Sequence, residues 1–357
     1  MREQPGIPEE HLRICLQNHY DLYPVTLEFL PLGLDYDAGV YRVANEQGTA
    51  YLLKATSRPL YEPRCLVPRY LNDQGITSVV APMPTSSGAL WTQLEQWTVT
   101  VYPFIDGEMC WTGMTDEHWK QVGTIFKRIH QTTLPPFGFE SLRKETFDPQ
   151  EYIRWVRAFE ANLAVARTPH AQVPDSEGAS QQALCSSWMT HQSTIHTVVA
   201  SLEKLAGVLQ SRTLPSVICH ADLHPSNLLR DHPGGVFVID WDEVMLAPKE
   251  RDFIFIEVSS TDSERLPVPS TFFQGYGAVE IDWIALTYYR YERVIQDLIA
   301  CAQEVFFRDD LEEETKAASA QAFRKILTGN GVVDAASAAS TASAHLPPDL
   351  ILALRSP

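Results

Sequence analysis

The chain has 357 residues, a length that can bury a sizeable core in one large domain or two smaller ones. Its formal net charge of −17 argues against nucleic-acid binding, which depends on clustered lysine and arginine. An acidic surface favours a small cationic ligand instead, although solubility alone would also account for the charge.

Cysteine usage and hydropathy bear on the compartment. The six cysteines are scattered, without the paired short spacing of a zinc site or a redox motif, so reduced core thiols are expected. The N-terminus has no apolar segment of the signal-peptide type, and no apolar run reaches the length of a membrane span. The sequence thus predicts a cytoplasmic protein that does not enter a membrane.

The N-terminal part of the chain is predicted to form a small sheet. Apolar residues at helical spacing indicate one leading helix over residues 8–20. Short apolar runs separated by turn residues then predict strands at residues 25–32, 40–43, 50–55, 79–80 and 96–102. Lys54 lies in the third of these strands, where a lysine taken alone is usually a solvated side chain.

Long amphipathic helices are predicted after residue 115. Thr115 can cap the first helix, and Asp148 can cap a second that begins with a first-turn proline. Further helices are predicted over residues 181–211 and 282–307, and proline and glycine indicate a loop over residues 166–180. These helices are expected to serve as scaffold.

Polar residues are dense between two short apolar runs of strand length. His220, Asp222, His224 and Asn227 follow the first run, and Asp240 follows the second. Asn227 lies five residues after Asp222 (227 − 222), and Asp240 lies thirteen after Asn227 (240 − 227). Phosphoryl transfer needs a carboxylate to orient the attacking hydroxyl, and an amide oxygen and a second carboxylate to hold magnesium. Asp222, Asn227 and Asp240 supply that set.

The pattern His220-x-Asp222-x4-Asn227, followed by Ile239-Asp240-Trp241, resembles a known family. It is similar to the catalytic loop and metal-binding turn of the aminoglycoside phosphotransferases, which are small-molecule kinases with a protein-kinase-like fold. Two further segments extend the resemblance, residues 239–252 and residues 288–293. In all, the resemblance spans roughly residues 20–305.

The resemblance implies an α+β, bilobal, protein-kinase-like fold. A mainly β nucleotide-binding lobe with a small antiparallel sheet would occupy residues 1–105. A mainly helical lobe with the catalytic loop and the substrate pocket would occupy residues 106–328. Residues 329–357 would form a low-complexity tail, for which disorder or marginal helix is expected.

The resemblance also implies a nucleotide site for ATP or GTP. Lys54 would contact the α- and β-phosphates. Such a lysine is usually held by a carboxylate from the following helix, and Glu62 is the nearest candidate. Pro63 and Pro68 are expected to limit that helix to one or two turns, which leaves the partner of Lys54 open.

The resemblance also implies which residues bind adenine, the acceptor hydroxyl and Mg²⁺. The carbonyl of Pro103 and the N–H of Ile105 would pair with adenine. Asp222 would accept a hydrogen bond from the substrate hydroxyl and take its proton late, while Asn227 and Asp240 would hold one or two Mg²⁺ ions. Three residues are expected to brace the loop: His220, His224 and Asp252. The last matches a family aspartate that hydrogen-bonds the loop backbone.

The implied acceptor is a small, cationic, hydroxylated molecule such as the aminocyclitol antibiotic spectinomycin. Asp242 and Glu243 could bind an ammonium group of that substrate, or Asp242 could support the metal. Tyr288 and Glu292, one helical turn apart, would help to wall the pocket, or would equally well form a solvated or paired edge. Choline, a sugar or an amino-acid-like hydroxyl are alternative acceptors, because the fold does not choose among them.

Two other classes of function compete with a kinase. A metallohydrolase could use His220, Asp222 and His224 together with Asp240 and Asp242 as a two-metal cluster. That reading leaves Asn227 and the lysine strand unexplained. A catalytically silent binding protein on the same fold is the third possibility. The presence of all four predicted catalytic and nucleotide-binding residues argues against it: Lys54, Asp222, Asn227 and Asp240.

Overall fold

The computed structural model describes residues 4–33, 35–110, 113–166, 178–256 and 271–328. Within it the chain divides into two compact units, Met1–Glu145 with Ser216–Val279, and Thr146–Pro215 with Glu280–Pro357. The division into lobes at residues 105 and 106 is a different partition and stays a prediction. The tail at 329–357 and most of the loop at 166–180 lie outside the described residues.

The first unit contains a five-stranded antiparallel sheet in the order β1-β2-β3-β5-β4. Its strands are β1 (Pro24–Leu30), β2 (Ala38–Asn45), β3 (Ala50–Thr56), β4 (Thr92–Leu94) and β5 (Trp97–Pro103). On the central strand β3, Leu53 and Ala55 are buried in the core beneath helix α1 (Glu9–Tyr20). Lys54 therefore faces the opposite side, because successive side chains of a strand alternate.

The strand predicted at residues 79–80 is wrong. Val79 instead forms an isolated parallel bridge with Val238. The Val80 N–H donates to the Val238 carbonyl at 3.0 Å, and the Val238 N–H donates to the Ser78 carbonyl at 2.8 Å. Two apolar residues suffice for one such bridge but not for a strand of a sheet.

Helix α2 (Pro63–Asp73) is longer than its prolines predict. Pro63 occupies the first turn, where a missing N–H costs nothing. Pro68 lies inside the helix, and its cost is offset because Cys65, Val67 and Leu71 on the same helix are fully buried. The prediction of one or two turns is therefore wrong, since packing outweighs local propensity here.

The first unit also contains short strands that flank the polar residues 220–227 in sequence, and a helix that precedes them. Its strands form a pair and a three-stranded sheet: β7 (Val217–Cys219) with β10 (Met245–Ala247), and β6 (Gly107–Met109), β8 (Leu228–Asp231) and β9 (Val236–Val238). Helix α3 (Asp116–Gln131) begins at Thr115, whose hydroxyl accepts a hydrogen bond from the His118 N–H. The predicted cap at Thr115 is confirmed.

Helix α3 packs closely on α7 (Thr271–Tyr276). A Cβ at Gly123 would collide with the Phe272 carbonyl oxygen, and a Cβ at Gly275 would collide with the Lys120 carbonyl oxygen. These two glycines permit the close approach of the two helices, which brings Tyr276 to the end of α3.

The second unit is helical. Its helices are α4 (Gln150–Ala166), α5 (Ala179–Thr190), α6 (Gln192–Gln210), α8 (Trp283–Phe307) and α9 (Glu313–Leu327). Their core includes Trp188, which stacks on Phe323. The helix predicted over residues 181–211 is interrupted at His191, where both Thr190 and His191 have low helix propensity. None of the helices in the described ranges is long and apolar enough to cross a membrane.

Together the antiparallel sheet and the helices confirm the predicted α+β class.

Candidate active site

The catalytic loop begins where β7 ends. The carboxylate of Asp252 accepts the His220 N–H at 3.0 Å and the Ala221 N–H at 2.7 Å, and Asp252 is fully buried. Ala221 has a φ of 69°, which is unfavourable for a residue with a Cβ. The two hydrogen bonds therefore hold the loop in a conformation that alanine would otherwise avoid.

Two histidines extend this support. His130, at the end of α3, has Nε2 3.0 Å from the Asp252 carboxylate and Nδ1 2.8 Å from the Tyr276 hydroxyl. Nε2 of His220 lies 2.8 Å from the Ile239 carbonyl oxygen, so it joins the loop to the residue before Asp240. His130 was missed in the sequence, because nothing local to α3 marks it as a neighbour of a residue 122 positions later.

Asp222 and Asn227 lie in contact on this loop. The Asn227 side-chain amide donates to the Asp222 backbone carbonyl at 2.8 Å and to the Asp222 carboxylate at 3.1 Å. This orientation turns the amide oxygen of Asn227, the atom that would bind a divalent cation, away from Asp222. Nε2 of His224 lies 3.2 Å from the same carboxylate, and its Nδ1 is hydrogen-bonded to the Ser226 hydroxyl.

The segment Asp240-Trp241-Asp242, called here the metal turn, faces Lys54. The ammonium of Lys54 lies 3.0 Å from the Asp240 carboxylate and 2.8 Å from the Asp242 carboxylate. Burial alone would lower the pKa of Lys54, but the two carboxylates outweigh it and the net shift is upward. Burial likewise opposes ionisation of Asp242, yet Lys54 and then Arg64 and Arg58 hold its pKa below the usual value.

The structure gives Lys54 carboxylate partners, which the sequence left open. Glu62 is exposed at the N-terminus of α2, and among the described residues the ion pairs of Lys54 are those with Asp240 and Asp242. Pro103 is the last residue of β5, and Ile105 lies half-buried between β5 and β6. Their contact with adenine stays a prediction.

Apart from Asp222, the side chains predicted to bind the acceptor have different surroundings. Asp242 faces Lys54, whereas Glu243 pairs with Arg143 at 3.1 Å and is half-exposed. Tyr288 and Glu292 belong to the second unit, where both are buried on α8 and the tyrosine hydroxyl donates to the carboxylate at 3.4 Å. They form a buried pair rather than a solvated edge.

The cluster proposed for a metallohydrolase does not form in the described part of the chain. The group of potential ligands that does come together there is His130, Cys219 and Asp252, all buried. His130 and the backbone N–H groups already use the Asp252 oxygens, so this trio serves the loop. The sequence alternative based on His220 and His224 is therefore not supported by the geometry.

This fold is that of a phosphotransferase. Residues 28–289, most of the chain, match the model of the phosphotransferase enzyme family. The chain belongs to this family, which is the one that its catalytic-loop motif resembles.

Solved structures resemble most of the chain. Spectinomycin phosphotransferase, solved with ADP and spectinomycin, is 29% identical, with a TM-score of 0.80 over 94% of this chain and 99% of that chain. An aminoglycoside phosphotransferase from Alicyclobacillus acidocaldarius is 17% identical, with a TM-score of 0.58 over 96% and 98%. Choline kinase from Streptococcus pneumoniae is 16% identical, with a TM-score of 0.53 over 92% and 99%. The last two establish the fold alone. No curated protein matches the chain.

Proposed function

We propose that the protein transfers the terminal phosphoryl group of ATP or GTP to a hydroxyl of an aminocyclitol antibiotic such as spectinomycin. The observation that carries this proposal is the ion pair of Lys54 with Asp240, 186 residues away, on a turn whose preceding residue, Ile239, donates its N–H to the Asn227 carbonyl at 3.0 Å. The similarity to spectinomycin phosphotransferase over nearly the whole chain supports the choice of acceptor. The reaction would make the protein an antibiotic-resistance enzyme.

Each residue has a role that follows from its position. Asp222, half-buried and in contact with the Asn227 amide, would orient the acceptor hydroxyl and receive its proton as the new O–P bond forms. Lys54 would bind the α- and β-phosphates and so align the terminal phosphate with that hydroxyl. Pro103 and Ile105 would bind adenine through backbone groups, as a connection after a sheet can.

A divalent cation fits the remaining oxygen donors. The Asn227 amide oxygen and the Asp240 carboxylate are hard ligands of the kind that Mg²⁺ prefers. When bound there, Mg²⁺ would neutralise charge on the phosphates. The exposed carboxylate of Asp240, 45% accessible, leaves room for such an ion.

We expect a cationic acceptor, which a formal net charge of −17 would attract. Glu243, half-exposed and paired with Arg143, would attract its amines, whereas Asp242 already faces Lys54. Choline is a second candidate, because it is also a small cationic alcohol and a choline kinase shares the fold.

A panel assay tests the proposal. Nucleotide consumption is measured with spectinomycin, kanamycin, choline and methylthioribose, each with Mg²⁺ and with excess chelator. Spectinomycin-dependent consumption that stops with the chelator is the expected result. Consumption with choline alone would change the acceptor, and no acceptor-dependent consumption with any of the four would overturn the assignment to this substrate class.

A further inference from the structure

The metal turn directs two carboxylates to a single ammonium group. Asp240 has a φ of 62°, a left-handed conformation that residues with a Cβ seldom adopt. The intervening Trp241 is buried and packs edge-on against His220, with ring centroids 4.8 Å apart. With Trp241 facing the core, Asp240 and Asp242 both face Lys54.

The two carboxylates differ in exposure and distance. The Asp242 side chain is 22% exposed and lies 2.8 Å from the ammonium, whereas the Asp240 side chain is 45% exposed and lies 3.0 Å from it. Ion pairs in less solvated positions are screened less by water and salt. Asp242 is therefore the stronger holder of Lys54, and Asp240 is the better placed of the two to take a cation from solvent.

The backbone on the far side of Asp242 is fixed by neighbouring elements. Arg143 donates from Nη2 to the Asp242 carbonyl at 3.1 Å, and its guanidinium lies 4.3 Å from the centre of the Tyr61 ring. The Tyr61 hydroxyl donates to the Val244 carbonyl at 2.7 Å. Asp242 is thus held by its main chain while its side chain holds Lys54.

Helix α2 provides no competing carboxylate. Its N-terminal Glu62 is exposed, and the next charged residue, Arg64, is buried with 5% exposure and carries a side-chain Nη2 without a hydrogen-bond partner. Helix α2 therefore contributes a buried cation, and the carboxylates that pair with Lys54 come from the metal turn.

We infer that Asp242 is the positioning residue of Lys54: the metal turn, and not helix α2, supplies the carboxylate that holds the lysine toward the nucleotide phosphates. This inference rests on the proposed function. One three-residue segment then does two tasks, with Asp240 assigned to the divalent cation and Asp242 to the lysine.

A double-mutant cycle on nucleotide binding tests the inference. The affinity for Mg²⁺ with a non-hydrolysable ATP analogue is measured by calorimetry for the wild type, Lys54→Met, Asp242→Asn and the double variant. Each single substitution is expected to weaken binding roughly tenfold, and the double variant is expected to bind no more weakly than the weaker single variant. The control is Asp73→Asn, which breaks the ion pair with Arg69 at the end of α2 and is expected to leave the affinity unchanged.

Steady-state kinetics separate this role from direct contact with the acceptor. Asp242→Asn is expected to raise KM for the nucleotide and leave KM for the acceptor unchanged. Asp242→Glu keeps the charge and is expected to lie within about threefold of wild-type nucleotide affinity, which tests the role even if the asparagine variant folds poorly.

Three outcomes contradict the inference. Additive losses in the double variant would show that Asp242 acts independently of Lys54. A rise confined to the acceptor KM would make Asp242 a substrate residue, and equal losses for Asp242→Glu and Asp242→Asn would remove the role of charge. A wild-type protein that binds no nucleotide would fail the proposed function first, a result distinct from these three.

Discussion

The catalytic loop and the metal turn lie together in the first unit, but they are held in different ways. The loop is held by hydrogen bonds from the His220 and Ala221 N–H groups to a fully buried carboxylate, Asp252. The metal turn is held against Lys54 by ion pairs, one of them to a carboxylate that is nearly half exposed. Breaking buried hydrogen bonds costs stability, whereas exposed ion pairs contribute little to it. Substitutions that remove the support of the loop should therefore lower the free energy of unfolding, and substitutions in the metal turn should lower nucleotide affinity or activity.

The largest effect is expected from Asp222→Ala. Loss of the carboxylate that orients the acceptor hydroxyl should reduce kcat by about 10² to 10⁴-fold, the usual contribution of a general base. The affinity for nucleotide should change little, because Lys54 and the metal turn remain. Single-turnover kinetics measure the loss of rate, and calorimetry measures the nucleotide affinity. Near-normal turnover with intact nucleotide binding would remove Asp222 from the mechanism.

Asp252→Asn should be the most destabilising of these changes. An amide offers one acceptor oxygen where the carboxylate offers two, so a buried N–H of the loop loses its partner, at a cost of about 2–4 kcal/mol. Urea denaturation measures the loss. The control Asp231→Asn changes a half-buried carboxylate that accepts the Gly235 N–H in a turn, and should cost about 1 kcal/mol or less. Equal losses would show that the loop has no special dependence on Asp252.

Gly123→Ala tests the packing of α3 on α7, which positions His130 next to Asp252. The added methyl group would collide with the Phe272 carbonyl oxygen, so a loss of about 1–3 kcal/mol is expected. Gly207→Ala is a matched control, because a Cβ there meets nothing within 4 Å and alanine favours a helix. The melting temperature should therefore fall for Gly123→Ala and stay level or rise for Gly207→Ala.

The smallest effect on stability and activity is expected from Glu243→Gln, directly after the metal turn. Its pair with Arg143 has both side chains nearly half exposed, so stability should fall by less than about 1 kcal/mol. The acceptor KM is the informative measurement. A severalfold rise with unchanged nucleotide KM would assign Glu243 to the acceptor, and no change would leave it a surface pair.

Local patterns in the sequence predict the elements better than the contacts between them. Strand periodicity locates β3 and its lysine, the Thr115 cap marks the start of α3, and the interval from Asp222 to Asn227 matches a direct side-chain contact. The helix α2 is underestimated because Pro68 has a local cost that only tertiary packing offsets.

Contacts between distant residues were the part that could not be predicted. The pairing of Lys54 with Asp242 spans 188 positions, and no periodicity or spacing encodes it. Glu62 was the nearest candidate in the following helix, and the sequence left the partner of Lys54 open; in the structure Lys54 pairs with the distant Asp240 and Asp242. The contact of His130 with Asp252 is hidden for the same reason.

The exposure of Asp240 has a consequence for how the protein should respond to ionic strength. Added salt shortens the distance over which charges act, to about 8 Å at 0.15 M and about 3 Å at 1 M, and it does so mainly where solvent has access. The Asp240 carboxylate, which is assigned to the divalent cation, is open to these ions, whereas the hydrogen bonds around the buried Asp252 are shielded from them. Raising potassium chloride should thus weaken nucleotide affinity well before it alters the melting temperature.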